Sequence, residues 1–177
     1  MATIVKQIGL TLVIVILCVI LHEAGHLLAA KALGYDAVVR INSVSTVGGA
    51  ANWRDAAIVD AAGPLVTVLL AITGLALSGR GGSRLRPTIV FAALMMRLLA
   101  TLVSVQAPND EARIGEALGL GTWTIPAIIV GLLAIMMAVS ARRSGVGWRW
   151  LFGSWIGASI GFTLIVFGEP LLPAITV

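Results

Sequence analysis

Charged residues and cysteine are both scarce in this sequence of 177 residues. Only 11% of the residues are charged while 59% are hydrophobic, and the mean hydropathy is +1.03. Because a soluble domain averages about 25% charged residues, this chain has too little charge to cover a surface that faces water. Water-soluble enzymes, nucleic-acid-binding modules and disordered tails are therefore excluded. The single cysteine, Cys18, excludes an internal disulfide.

The basic residues are arranged for contact with lipid. The net charge is +4, and most basic side chains stand in short clusters between apolar runs: Arg80, Arg84 and Arg86, then Arg142, Arg143 and Arg149. Loops that face anionic lipid headgroups are usually built in this way. The lipid bilayer is therefore the expected partner of these clusters, and no nucleic-acid partner is expected.

Five apolar stretches are long enough to span a bilayer, which takes about 20 helical residues. We expect these spans at approximately 8–33, 56–77, 88–105, 124–140 and 150–167. Trp123, Trp148 and Trp150 fall at their ends, where aromatic residues commonly anchor a helix at the interface. The sequence thus predicts an all-α polytopic membrane protein of about five transmembrane helices, with one domain over residues 1–177. Its small size and lack of targeting signals suit a prokaryotic plasma membrane.

Two connections between the spans have a predicted structure of their own. Residues 38–41 and 43–47 are rich in β-branched side chains and Gly48-Gly49 ends the run, which predicts a short hairpin or a pair of extended strands. After the third span, residues 112–118 have helical potential.

The first span contains the pattern His22-Glu23-Ala24-Gly25-His26, an HExxH motif. Residues four apart lie on one face of a helix, so both imidazoles can reach one metal ion. Zn²⁺ lowers the pKa of a bound water towards about 7, and Glu23 is placed to take the proton of that water. The motif contains both histidines of the chain, and ionisable residues at membrane depth are functional hypotheses by default. The alternative is a structural trio, hydrogen-bonded inside the bundle.

A catalytic zinc ion usually has three protein ligands, so one further ligand is expected. Asp110 is the favoured candidate, with Glu111, Glu116 and Asp60 as alternatives, and Asp36, Asp55 and Glu169 as the other carboxylates outside the motif. Asp60 could instead pair with Arg97 across two helices, and Asp110 could also be the N-cap of the helix that follows it. Cys18 lies one turn before His22, where a small apolar filler is the favoured role.

At these residues the chain resembles the site-2 protease family, the intramembrane zinc metalloproteases of the M50 type. The resemblance rests on HExxH in the first hydrophobic segment, on Ala62-Gly63-Pro64 at the start of the next, and on an Asp after the third. It covers residues 8–120, a catalytic core to which the helices at 124–167 are additional. Thr67 stands where family members often have Asn, and Asn109-Asp110-Glu111 replaces the usual Leu-Asp-Gly. The chain is in this respect more similar to a short, divergent subgroup.

The resemblance implies a zinc-dependent endopeptidase, with one Zn²⁺ per chain, that cleaves a transmembrane protein substrate inside the bilayer. Metal ligands would be His22, His26 and Asp110, and Glu23 would be the general base and then the proton donor. The extended segment at 38–47 would pair with an unwound substrate by strand addition, or it is a plain connecting loop. Two other functions remain open: a membrane metal-binding or transport protein, and an inactive scaffold that binds transmembrane helices.

Orientation and assembly stay open at this stage. With alternating sides, one face has the basic residues Lys6, Arg80, Arg84, Arg86, Arg142, Arg143 and Arg149, and the other has Lys31, Arg40, Arg54 and Arg113. The positive-inside rule then places the metal site outside, whereas family members more often hold it near the cytoplasmic face. Gly153, Gly157 and Gly161 form a small-residue seam that either docks the last helix on the core or joins two copies of the chain.

Overall fold

A computed structural model describes residues 2–79 and 83–177, which leaves Arg80 of the first basic cluster outside the described residues. In these ranges the chain forms six α-helices and three short strands. In chain order they are α1 (Ala2–Ala32), β1 (Ala37–Arg40), β2 (Ser43–Thr46), α2 (Trp53–Ala76), α3 (Leu85–Val103), α4 (Asp110–Ala117), α5 (Thr124–Ser144), α6 (Trp148–Gly168) and β3 (Ile175–Thr176).

Five of these helices, all except α4, are long and apolar enough to cross a membrane. Their bounds agree with the five predicted spans to within six residues at each end. The all-α polytopic architecture is therefore confirmed, and the chain is an integral membrane protein. Large apolar side chains such as Leu28, Leu69 and Phe167 are exposed on the outside of the bundle, as lipid-facing residues should be.

The first helix is the centre of the bundle, because α2, α3 and α6 all pack against it. The glycine seam of α6 faces α1: a Cβ atom at Gly157 would lie 2.5 Å from the carbonyl oxygen of Ile8, and one at Gly161 would lie 3.0 Å from Val15 Cγ1. Small residues let two helices approach this closely. The seam thus docks α6 on the core, which is the intramolecular alternative of the two predicted.

A buried polar cluster joins three of the helices at the end of the bundle where α1 begins. The Gln7 Nε2 atom lies 2.9 Å from the hydroxyls of Thr88 and Ser154 and 3.1 Å from that of Thr11. All four side chains are almost completely buried. Hydrogen bonds of this kind fix the rotation of helices that apolar packing alone would leave free to slide.

Trp150 is not an interfacial anchor, contrary to the prediction. It is only 5% exposed and packs edge-to-face on Phe91, with ring centroids 5.7 Å apart. Its position near the start of α6 suited an anchor, but the rotation of the helix turns it towards α3. Trp123 and Trp148 are half-exposed or more at the predicted boundaries.

The predicted hairpin is confirmed and gains a third strand. The sheet is antiparallel with the order β2-β1-β3, and Val38 pairs with Ser45 on one side and with Thr176 on the other. Gly48 and Gly49 end the hairpin with φ angles of 74° and 84°, which only glycine adopts readily. Because β1 is central, β2 forms one edge of the sheet.

Candidate metal centre

The structure brings together the three residues predicted as metal ligands. His22 and His26 lie on α1, and Asp110 is the first residue of α4. The His22 Nε2 atom is 3.1 Å from His26 Nε2 and 3.2 Å from Asp110 Oδ2, and His26 Nε2 is 3.5 Å from the same oxygen. Ligands about 2.0–2.1 Å from a tetrahedral zinc ion are separated by roughly 3.3 Å from one another. The triangle therefore has the dimensions of three corners of a zinc site.

Hydrogen bonds on the far sides of the two imidazoles set the direction of their lone pairs. His26 Nδ1 lies 2.6 Å from the carbonyl oxygen of Val59, which can only accept, so this nitrogen carries a hydrogen. His22 Nδ1 lies 3.0 Å from Thr67 Oγ1, whose own hydrogen is donated to the carbonyl oxygen of Gly63. Both Nδ1 atoms are thus donors, and both Nε2 lone pairs point to the centre of the triangle. Metal-binding histidines are usually fixed in this way.

Three acceptor atoms that converge in a buried place need a positive charge between them. Either a proton on one imidazole is donated to Asp110, or a metal ion binds all three atoms. The formal charges agree with a divalent cation: Glu23, Asp110 and Glu111 carry three negative charges, and within residues 2–79 and 83–177 Arg97 is the one cation buried among them. A Zn²⁺ ion would make this group neutral. The residues present therefore fit the predicted metal.

Asp110 is held in place by two arginines. Arg97 Nη1 donates to its Oδ2 at 3.2 Å, and Arg113 Nη2 donates to its Oδ1 at 2.8 Å. Arg113 also binds Asp60 of α2 through two hydrogen bonds of 2.9 and 2.7 Å. Although burial disfavours its charge, contacts with the histidines and Arg97 keep the pKa of Asp110 far below its ordinary value. The hydrogen bonds from the two arginines thus hold this carboxylate beside the histidines.

Asn109 caps α4, and Asp110 does not. The Asn109 side-chain oxygen accepts from the backbone N–H of Ala112 at 2.8 Å, and its backbone is extended as in an N-cap. Since the neighbouring asparagine satisfies the end of the helix, the Asp110 carboxylate is left for the metal triangle.

The proposed general base lies in the same cleft as the triangle. Glu23 is 9% exposed, and within the described part of the chain its Oε2 atom is buried without a hydrogen-bond partner. A carboxylate oxygen in this state can accept a proton without first breaking another bond.

Helix α2 approaches the histidines at the Ala-Gly-Pro motif. A Cβ atom at Gly63 would lie 2.6 Å from His22 Cε1 and still closer to His26 Nε2. On the other side of the contact, a Cβ atom at Gly25 would lie 2.9 Å from the carbonyl oxygen of Ala62. Both glycines therefore serve the close approach of α1 and α2, which brings Thr67 within reach of His22.

The other candidate ligands lie outside the triangle, and each has a partner of its own. The predicted alternative, a pair between Asp60 and Arg97, does not form. Asp60 is bound instead by Arg113 of α4. The remaining carboxylates pair as follows: Glu111 with Arg97, Glu116 with Thr122, Asp36 with Lys31, Asp55 with Tyr35, and Glu169 with Ser43. Cys18 is buried in the apolar core and is not a member of the triangle.

Sequence reasoning missed Arg113 and gave Arg97 a different partner. The signal for Arg113 is its spacing, since residues three apart on a helix, such as Asp110 and Arg113, are neighbours. The signal for Arg97 is its position inside an apolar span, where a lone charge needs a partner. Its partners, Asp110 and Glu111, belong to the short helix α4 after the span, whose position sequence alone does not give.

A cleft of about 840 Å³ leads to the triangle and is lined by His22, Glu23, His26, Asp110 and Arg97. One of its walls is β2 and the turn before it, with residues 42–46, and another is apolar, with Met96, Leu99, Val103, Phe162 and Val166. The cleft thus has one wall formed by a β-strand and its turn and another wall that is apolar. No protein-family model, curated protein or solved structure matches this chain.

Proposed function

We propose that the chain is a zinc-dependent intramembrane endopeptidase similar to the site-2 proteases. The proposal depends above all on one observation: a metal-sized triangle of His22, His26 and Asp110 lies in an open cleft beside a carboxylate oxygen of Glu23 that has no hydrogen-bond partner among the described residues. Both histidines and the glutamate belong to a helix that is long and apolar enough to cross a membrane. This arrangement favours hydrolysis of a peptide bond below the membrane surface.

His22, His26 and Asp110 would hold the zinc ion, which would act as a Lewis acid on a water molecule and on the scissile carbonyl. Glu23 would take a proton as the water oxygen bonds to the carbonyl carbon. It would then give that proton to the amide nitrogen as the C–N bond breaks, so that the products are a carboxylic acid, which keeps the second hydrogen of the water, and an amine. The carboxylate of Glu23 is thus returned to its starting state.

Arg97 is positioned to stabilise the negative charge that develops on the carbonyl oxygen. Its Nη2 atom lies 3.4 Å from His22 Nε2, and its Nη1 atom lies 3.2 Å from Asp110 Oδ2. These separations place the guanidinium at the edge of the metal triangle. A buried cation in this place costs no reorganisation when the charge forms.

The shape of the cleft suits an unwound transmembrane segment. A peptide bond within a helix is not accessible to the general base, so the substrate must be extended locally. The edge strand β2 lines the cleft and would hold the extended backbone by strand addition. The apolar wall of α3 and α6 would accept the aliphatic side chains of such a substrate.

The test compares Glu23→Gln with the wild-type chain, both reconstituted into liposomes with a fluorogenic transmembrane peptide. We expect the variant to bind one zinc per chain and to lose cleavage by at least about 100-fold, the usual size of one general-base contribution. Normal cleavage by Glu23→Gln would show that the mechanism is wrong.

Zinc content separates this function from its rivals. One zinc per wild-type chain, lost in both His26→Ala and Asp110→Ala, is the expected result. A wild-type chain that binds no zinc would favour the inactive scaffold, and zinc flux into the liposomes without cleavage would favour a transporter.

A further inference from the structure

A second cleft lies at the opposite end of the bundle from the metal centre. Its volume is about 390 Å³, and it is formed where the start of α3 meets the turn between α5 and α6. Arg84 and Arg149 line it together with Ser83, Ser144 and Trp150. Across residues 2–79 and 83–177, neither arginine makes an ion pair.

The acidic residues of the chain are confined to one end of the bundle, whereas basic residues occur at both ends. All eight Asp and Glu residues of the sequence lie in the half of the bundle that contains the metal centre: Glu23, Asp36, Asp55, Asp60, Asp110, Glu111, Glu116 and Glu169. The opposite end contains, besides the two arginines of the cleft, Lys6, Arg86, Arg142 and Arg143. Because no carboxylate of the chain lies there, an anion that pairs with these arginines would come from another molecule.

The cleft also contains donors that have no acceptor. Within the described residues, the Ser144 hydroxyl oxygen and the indole Nε1 of Trp150 are both buried without a hydrogen-bond partner. Trp150 is 95% buried, since its exposure is 5%. A tryptophan N–H can only donate, and a buried donor without an acceptor is costly. Both groups belong to residues that line the cleft.

The first turn of α6 adds backbone donors to the same place. In the part of the chain that the structure describes, no side chain caps this 21-residue helix, and its N-cap is Gly147 in the cleft wall. The free N–H groups and the positive end of the helix dipole favour an anion. Arginine, hydroxyl, indole and helix terminus are thus all donors, and the cleft walls contain no acidic side chain.

We propose that this cleft binds a phosphate group, with Arg84 and Arg149 as its charged ligands. Phosphate is the anion that matches several converging donors and bidentate guanidinium groups. The group could belong to an anionic phospholipid or be free inorganic phosphate. The lipid source is favoured because Trp148, 69% exposed at the rim, is placed at the membrane interface.

The experiment uses the full chain in a neutral detergent and two probes, dioleoylphosphatidylglycerol in mixed micelles and inorganic phosphate. Bound lipid is counted by native mass spectrometry, and affinities are measured by titration. We expect Arg84→Gln and Arg149→Gln each to weaken binding about ten-fold, the loss of one charge-assisted hydrogen bond. The matched control is Arg142→Gln, which removes the same charge from an exposed position on the same face outside the cleft; it should change binding less than two-fold.

The two probes distinguish the sources of the phosphate. Binding of the lipid with this variant pattern, unaffected by millimolar phosphate, assigns the site to a headgroup. Binding of inorganic phosphate with the same pattern assigns it to the free anion. Equal losses in Arg142→Gln and in the two cleft variants would reduce the effect to general surface charge and overturn the proposal, as would unchanged binding in both cleft variants.

A third variant tests the indole and preserves the packing. Trp150→Phe keeps an aromatic ring against Phe91 but removes the N–H donor. We expect several-fold weaker binding with unchanged helical content by circular dichroism. Full affinity in this variant would remove Trp150 from the site.

Discussion

A single methyl group at Gly63 should strongly weaken the proposed zinc binding. In Gly63→Ala the new Cβ would lie 2.6 Å from His22 Cε1 and 2.7 Å from His22 Nε2, and closer still to His26 Nε2. Carbon atoms in ordinary contact are about 3.5 Å apart, so the imidazoles or α2 must move by roughly 0.8 Å or more. Ligand positions in a zinc site tolerate errors of only about 0.2 Å. The displacement is several times larger than this tolerance.

The measurement is zinc content and zinc affinity of the purified variant, by elemental analysis and by competition with a chelator. We expect the affinity to fall roughly 100-fold or more, because a ligand itself is displaced and not only its support. The helical content should remain, since alanine is a better helix former than glycine.

The matched control is Gly9→Ala on α1, where an added Cβ has no atom within 4 Å. It should bind zinc as the wild-type chain does. Wild-type affinity in Gly63→Ala would show that α2 does not pack against the imidazoles, and the reasoning from close approach would then be refuted.

Three further predictions follow from single contacts. Arg113→Lys removes the guanidinium that binds both Asp60 of α2 and Asp110 of α4, so the zinc affinity should fall about ten-fold. Gly157→Ala places a Cβ 2.5 Å from the carbonyl oxygen of Ile8, so the Tm should fall by roughly 3–10 °C, measured by thermal melting in detergent. Tyr35 is the only tyrosine, and its hydrogen bond to Asp55 raises the pKa of the Tyr35 hydroxyl. Asp55→Asn should return the midpoint of the tyrosine absorbance titration towards about 10. The stabilisation from that bond is present below the ordinary pKa and is lost as the pH rises through the raised pKa.

The first two of these predictions have a matched control variant, and the third is compared with the wild-type chain. Arg54→Lys changes an exposed arginine at the start of α2 and should leave zinc binding unchanged. Gly131→Ala on α5, where nothing lies within 4 Å of the new Cβ, should leave the Tm unchanged. Equal effects in variant and control would contradict the first two predictions, and identical titration midpoints in wild type and Asp55→Asn would contradict the third.

The parts of the structure that the sequence predicted depend on short-range geometry. The spacing of His22 and His26 places both on one helix face whatever surrounds them, and the spans follow from apolar length. The scarcity of carboxylates then made Asp110 a candidate after the third span. The hairpin was recognisable because residues 38–41 and 43–47 are rich in β-branched side chains and Gly48-Gly49 ends the run.

The parts that the sequence did not predict depend on how helices stand against one another. Whether Arg97 pairs with Asp60 or with Asp110 depends on the positions of α2, α3 and α4 along the bundle axis, and no local sequence pattern encodes these positions. The burial of Trp150 depends on the rotation of α6. The strand β3 has only two residues, too few for any alternation to show.

Two of the three proposed metal ligands belong to a membrane-spanning helix, and the third belongs to α4, a helix of only eight residues between α3 and α5. A bound ion would therefore crosslink α1 to α4 and close the long loop of chain between them. A disulfide crosslinks a chain in the same way, but the single cysteine of this sequence excludes an internal one. Zinc binding would stabilise the folded form of α4 by mass action. A higher concentration of free zinc would therefore slow the amide hydrogen exchange of this helix. Amide hydrogen exchange at residues 110–117 would then report the occupancy of a site whose other two ligands lie on α1.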